Sequence, residues 1–204
     1  MTYKDYNFFS SEEAVRWGEK YFGDWLTDMK TYSIQTNTPL EEFFRTYTSG
    51  TGSIYNEILR GGTKRKGTLS SNDKKKLKLI RLAEKEIMKH PSPDNIVVYR
   101  YISKKILDYM KKWYKVNMIK KNCILVDDGF LSTTFTPQLI KDSSYAKKSK
   151  KIFKIYVPKG TPCVYVDLIS DMHENEVIFC PKLKLKVISA PIFSKYIECI
   201  VVNN

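Results

Sequence analysis

The chain has 204 residues, 42% hydrophobic and 13% aromatic, with a formal net charge of +13 at pH 7; this is enough apolar material for one buried core and excludes a disordered or fibrous chain. No run approaches the roughly 18 apolar residues needed to cross a bilayer, which excludes a helical integral membrane protein. Two histidines, four cysteines without a C-x-x-C pair, and nine glycines without G-x-G-x-x-G or G-x-x-x-x-G-K leave little room for a multi-histidine zinc site or a Ser-His-Asp machine, and exclude Rossmann and P-loop nucleotide binding.

The chain opens on Met1-Thr2-Tyr3-Lys4-Asp5, which contains no apolar signal stretch, so a classical secretory route is not expected. Helical signals run from about 10 to 93. Ser10 with Glu13 forms a capping-box pattern, and Ala14, Trp17, Tyr21 and Trp25 recur at three- and four-residue intervals, the spacing of a core-facing stripe. A second helix is predicted through Ile54, Tyr55, Ile58 and Leu59, followed by a basic, flexible loop from Gly61 to Gly67. A third, about Asn72 to His90, sets Leu77, Ile80, Ala83 and Ile87 against a lysine-rich side and is closed by Pro91 and Pro93.

From about 94 to 204 the period changes to two. Strands are predicted at Ile96 to Ile102, Ile124 to Val126, Ile152 to Val157, Cys163 to Val166, Val177 to Phe179, Leu183 to Val187 and Tyr196 to Val202. Helices first and strands afterwards predict an α+β fold with a mostly antiparallel sheet, in a single domain over residues 1–204. Three of the four cysteines sit in apolar, strand-like contexts, where reduced, buried thiols are expected. The charge excess predicts attraction to an anionic partner without choosing among nucleic acid, an acidic protein face, a phosphate ligand or an acidic membrane.

Three segments carry residue types that chemistry needs. Val97-Val98-Tyr99-Arg100 places an arginine in an otherwise apolar strand, and Gly129-Phe130-Leu131-Ser132-Thr133-Thr134 leads three hydroxyls from a glycine turn into a strand. His173-Glu174-Asn175-Glu176-Val177 sets two carboxylates two residues apart at the entrance to another. Singly, each also fits ordinary structure: an ion-pair arginine, a hydroxyl-rich turn, a solvated acidic face.

In that order, arginine, then Ser-Thr-Thr, then Glu-x-Glu, the segments resemble the signature of the bacterial mono-ADP-ribosyltransferase exotoxins. Ala14-Val15-Arg16-Trp17-Gly18, with Trp25 downstream, is similar to the opening helix of the catalytic domain of the binary toxins and vegetative insecticidal proteins. Tyr55-Asn56-Glu57-Ile58-Leu59-Arg60 resembles that family's I-N-x-x-L-R helix, and Val157-Pro158-Lys159-Gly160 matches its V-P-K-G turn, so the likeness spans nearly the whole chain.

The resemblance implies a mono-ADP-ribosyltransferase catalytic domain that takes NAD as co-substrate, with no metal. Such an enzyme breaks the nicotinamide–ribose bond and passes ADP-ribose to an acceptor. The transition state is oxocarbenium-like, which calls for negative charge at the ribose and a positively lined phosphate cradle. On that reading Glu176 holds the ribose and stabilises the developing cation, Ser132 orients Glu176, and Arg100 meets the diphosphate with its planar fork of donors. Asn56 and Arg60, one helical turn apart, contact the nucleotide from the N-terminal side, while Thr133 and Thr134 support the pocket wall. Glutamate rather than glutamine at position 174 implies an arginine acceptor on a protein: a carboxylate there can bind the guanidinium, orient the attacking nitrogen and accept its proton.

The chain also departs from the family pattern. Where relatives carry a phosphate-gripping arginine after the hydroxyl motif, Ser149-Lys150-Lys151 offers Lys150 as a point charge. Ser170 to His173 lacks the aromatic residue that actin- and GTPase-modifying relatives carry ahead of the acidic pair, which weighs against actin as target. Ser103 to Cys123 forms a long insertion, read as an amphipathic helix covering the sheet. The docking domain of binary-toxin enzymes does not fit in 204 residues. A toxin or effector is implied, secreted or delivered into a host cell by a non-classical route, with a delivery partner as one option. Two alternatives remain: transfer to nucleic acid, suggested by Lys64-Arg65-Lys66 and by Trp113-Tyr114 among lysines, and an inert interaction domain of the same fold.

Overall fold

The computed structural model describes residues 2–5, 11–36, 40–61, 70–113, 118–141 and 144–202. The first helix, α1 (Ser11–Thr36), buries Ala14, Trp17, Phe22, Trp25 and Met29. Tyr21, expected in that stripe, is 37% exposed and packs edge-on against Trp17, because Phe22 takes its place on the buried face. Ser10 and the basic loop at 62–69 lie outside the described residues.

A helix that the sequence reading did not anticipate, α2 (Leu40–Thr46), runs through a π-turn (Tyr47–Thr51) into α3 (Gly52–Leu59). The turn needs its glycines. Gly50 sits at φ 94°, and a Cβ on Gly52 would lie 2.7 Å from the Tyr47 carbonyl oxygen. The lysine-rich helix α4 (Ser71–Ile87) starts on a capping box in which the Asp73 amide donates to the Ser70 hydroxyl at 3.1 Å. It buries Ile80, Ala83 and Ile87.

The remainder is a sheet, with β1 (Lys4–Asp5), β2 (Ile96–Ser103), β3 (Ile124–Val126), β4 (Leu131–Thr134), β5 (Ser149–Val157), β6 (Cys163–Tyr165), β7 (Glu176–Phe179), β8 (Lys184–Ser189) and β9 (Tyr196–Val201). The strands follow the order β3-β8-β9-β5-β2-β4-β7-β6, with β1 added alongside β2. Only the β1–β2 and β5–β9 pairs among these are parallel, so the expected α+β, mostly antiparallel architecture holds. The 103–123 insertion begins as helix α5 (Lys104–Trp113), which packs on β2 and β3. Two short helices, α6 (Pro137–Ile140) and α7 (Ser144–Lys148), precede β5.

Alternation along β2 decides what reaches the site. Ile96, Val98 and Ile102 enter the main core, where α1–α4 meet the sheet, while Val97 and Tyr99 face a smaller cluster with Ile152. Arg100 has the parity of Val98 and Ile102, so a guanidinium is carried toward the core side of the sheet. Cys163, Cys180 and Cys199 are buried free thiols, and Cys123 is half-buried.

Candidate active site

Three strands that are neighbours in the sheet, β2, β4 and β7, bring the scattered segments together. Tyr99 pairs with Thr134, and Thr134 pairs with Glu176, so Arg100, Ser132 and Glu176 arrive from adjacent strands. Ser132 shares the parity of Thr134, and its hydroxyl donates to Glu176 Oε1. Arg100 Nη1 reaches across to the carbonyls of Ser132 at 3.1 Å and Phe130 at 3.4 Å. These groups line a cleft of about 730 Å³ together with Asn56, Arg60, Thr133 and Glu174.

Electrostatics distinguish the two glutamates. Glu176 is buried, and its pKa is pushed up to about 7: burial raises it, the Ser132 hydrogen bond opposes, the nearby Glu174 and Asp167 charges add to the rise, and Arg100 opposes. Glu174 is half-buried on the approach to β7, and burial followed by the Asp167 charge raises its pKa. The backbone around it is unusual, with His173 at φ 49° and Asn175 at φ 52°, so the chain enters the left-handed region on both sides of Glu174.

That loop is fixed from beneath. Asn175 is fully buried; its amide N donates to Asp167 Oδ1 at 2.8 Å, and its Nδ2 donates to Ser11 Oγ at 2.8 Å and Thr136 Oγ1 at 2.7 Å. Its Oδ1 accepts from the Tyr165 hydroxyl at 2.9 Å, and the Thr134 hydroxyl donates to the Glu174 carbonyl. The intervening residue of Glu-x-Glu is therefore a polar anchor that holds both carboxylates in position.

Asn56 and Arg60, expected to contact the nucleotide, both line the cleft, and their polar groups also have protein partners. Asn56 Oδ1 accepts from the Phe130 amide at 2.7 Å, and its Nδ2 donates to the Tyr47 hydroxyl at 2.9 Å. Arg60 forks onto Asp127, with Nε–Oδ1 at 2.7 Å and Nη2–Oδ2 at 2.6 Å. Asp127 also lies 3.5 Å from Arg100 Nη2 and accepts from the Gly129 amide at 3.0 Å. Burial raises its pKa, but the Arg60 hydrogen bonds and the Arg100 and Arg60 charges outweigh that and hold it below the ordinary carboxylate range. Gly129 is needed for close approach, since a Cβ there would fall 2.7 Å from Asn56 Oδ1. Thr133, of opposite parity to Ser132, turns its hydroxyl to the Val177 carbonyl at 2.9 Å, so its side chain braces β4 against β7. Lys150 lies on β5 with its side chain outside the described residues.

Sequence reasoning did not identify Asp127, Asn175, Tyr47 or Lys105 as site residues. Lys105, exposed on the first turn of α5, lines the cleft, and its position five residues beyond Arg100 was the available signal. Tyr47 is buried behind Asn56, and burial raises its hydroxyl pKa far above the usual value.

Leading helices packed on this sheet are the ADP-ribosyltransferase fold. Among solved structures the chain is similar to Plx2a, an ADP-ribosyltransferase toxin from Paenibacillus larvae, at 21% identity over 95% of this chain and 96% of that one, TM-score 0.66. It is also similar to C3stau2 from S. aureus, solved with NAD, at 19% identity over 100% of both chains, TM-score 0.67. BECa, the ADP-ribosylating toxin of a C. perfringens binary enterotoxin, solved with NADH, matches at 18% identity over 99% of this chain and 50% of that one, TM-score 0.73. No curated protein matches in sequence. The chain belongs to the ADP-ribosyltransferase exoenzyme family, whose model matches residues 14–203.

Proposed function

We propose that this protein cleaves NAD at the nicotinamide–ribose bond and transfers ADP-ribose to an arginine of a target protein, acting as a toxin or effector delivered to a host cell. The observation that carries the reading is the Ser132–Glu176 hydrogen bond in a cleft that Arg100 and Glu174 also line. The cleft is of a size suited to a dinucleotide, since small-molecule sites run from about 300 to 1,000 Å³. Arg100 adds a second sign of fit: its Nε is buried without a partner, a donor left over in a guanidinium already turned into the site.

In this reading Arg100 receives the diphosphate, and Glu176, held by Ser132, presents its ionised carboxylate where positive charge develops on the ribose. Glu174 stands on the acceptor side, where a carboxylate binds a guanidinium and takes its proton. Asn56 and Arg60 face the nucleotide from the N-terminal side, and with Asp127 they stiffen the wall that Arg100 leans on. Thr133 supports β4, and Lys150 or Lys105 supplies further positive charge toward the phosphates.

Two variants test this. Glu174→Gln should retain most NAD hydrolysis and lose transfer to arginine, whereas Glu176→Gln should lose both by about a hundredfold or more. Nicotinamide release together with label transfer from tagged NAD to a guanidino compound or a lysate protein gives both readouts. Full transfer by Glu176→Gln overturns the assignment; label appearing on an oligonucleotide instead of protein overturns the acceptor.

A further inference from the structure

The turn joining β8 to β9 exposes two large apolar side chains, Ile192 at 78% and Phe193 at 102% of full exposure. Turn corners face water and usually carry glycine, asparagine, aspartate, serine or proline. Here the turn is firmly built. Ser194 N donates to the Pro191 carbonyl at 3.2 Å, and Tyr196 N donates to Ser194 Oγ at 2.9 Å. Lys151 Nζ donates to the carbonyls of Ile192 at 3.3 Å and Ser194 at 2.6 Å. Those carbonyls are satisfied inside the protein, so the tip can leave water without stranding them.

Strand register places a belt of cations around this tip. Ile152 pairs with Tyr196, so β5 and β9 begin side by side, and Ser103 pairs with Ser149, which brings the end of β2 to the same place. Asn122 N donates to the Val187 carbonyl at 2.8 Å, adding the turn before β3. The exposed lysines at 104, 105, 120, 121, 147, 148 and 195 therefore gather at one end of the sheet. The stretches 101–105, 118–124, 147–151 and 189–196 contain no aspartate or glutamate. Met118, 63% exposed, adds apolar surface.

We propose that this end of the sheet docks the protein on an anionic lipid bilayer, with Phe193 and Ile192 entering below the headgroups and the lysines lying against them. A nucleic acid would use the cations and stack on the phenyl ring, but it offers nothing to Ile192; an acidic protein face would use the cations and leave the tip wet. An anionic bilayer meets both features at once. Ser103 and Lys105 at this same end line the cleft, so docking brings the cleft close to the membrane surface.

The inference does not rest on the proposed reaction, and its test uses none of the catalytic residues. The full chain is floated with vesicles of phosphatidylcholine alone and of phosphatidylcholine with phosphatidylserine. Binding is expected only to the latter. Replacing the tip together, Ile192→Ser with Phe193→Ser, should weaken binding by about tenfold or more, with melting temperature and NAD hydrolysis in solution unchanged. Lys120→Glu with Lys121→Glu should weaken it as well. Absence of binding, equal binding to neutral vesicles, or undiminished binding by the tip variant each overturns the proposal; the first would leave the lysines to a nucleic acid or an acidic protein, and the last would mean that charge alone holds the bilayer and the tip does not enter it.

Discussion

Glu176 must be ionised to stabilise a cation, yet its surroundings favour the neutral acid. With a pKa pushed up to about 7, chiefly by burial, the carboxylate is about half protonated at neutral pH. On the proposed reading, kcat/KM for NAD hydrolysis should fall about tenfold per pH unit below that value, far above the limb of an ordinary glutamate. The neighbours set the direction of two further shifts. Ser132→Ala removes a hydrogen bond that favours the charged form, so the limb should move to higher pH; Glu174→Gln removes a like charge, so it should move lower. A pH–rate profile on the three proteins measures this, and a limb that stays fixed in both variants would mean that Glu176 is not the group titrating.

At the scale of elements, the site depends on a junction between α3 and the loop before β4. Asp127 is its centre, buried between the Arg60 fork and Arg100 and tied to the Gly129 amide. Asp127→Asn keeps the shape but leaves two guanidinium groups in a largely buried place without their counter-charge. We expect a loss of about 2–4 kcal/mol in stability by denaturant unfolding, with a raised KM for NAD as Arg100 loses its support. Unchanged stability would show that the fork is solvated and dispensable. This junction also marks the limit of what the sequence discloses. Arg100, Ser132 and Glu176 are legible because each is chemically out of place in its strand and their order matches a family. Asp127 is not, because Asp127-Asp128-Gly129 reads as a turn and its partner Arg60 lies 67 positions away. Asn175 is hidden likewise: its role depends on a left-handed φ of 52° and on partners from α1, β6 and the segment after β4. For Asn56 and Arg60, helical spacing gives the shared face that lines the cleft but not the Phe130 amide and Asp127 carboxylate that hold them there.

For the molecule as a whole, one apolar cluster runs from Ala14 on α1 through Ile80 on α4 and Val98 on β2 to Val201 on β9. Helical and β-rich parts share it, and Trp17 alone touches rings from α1, the segment after β4, and β6. We therefore expect one calorimetric transition for the chain rather than two. In such a unit the cost of a strained site appears in the global unfolding free energy. The folded-state pKa of Glu176 lies above its ordinary value of 4.5, so the folded protein binds that proton more tightly than the unfolded chain does. Stability from this group is full below about pH 4.5, is lost as the pH rises through about 7, and stays lost above. Glu176→Gln, which cannot ionise, should be more stable than the native chain at pH 8 by up to about 3 kcal/mol, and the gap should close toward pH 4.5. Denaturant unfolding of both proteins across that range measures it. A gap that does not change with pH would mean that the carboxylate is as well solvated in the folded protein as in the unfolded chain, and that the protein does not give up stability to keep it in the cleft.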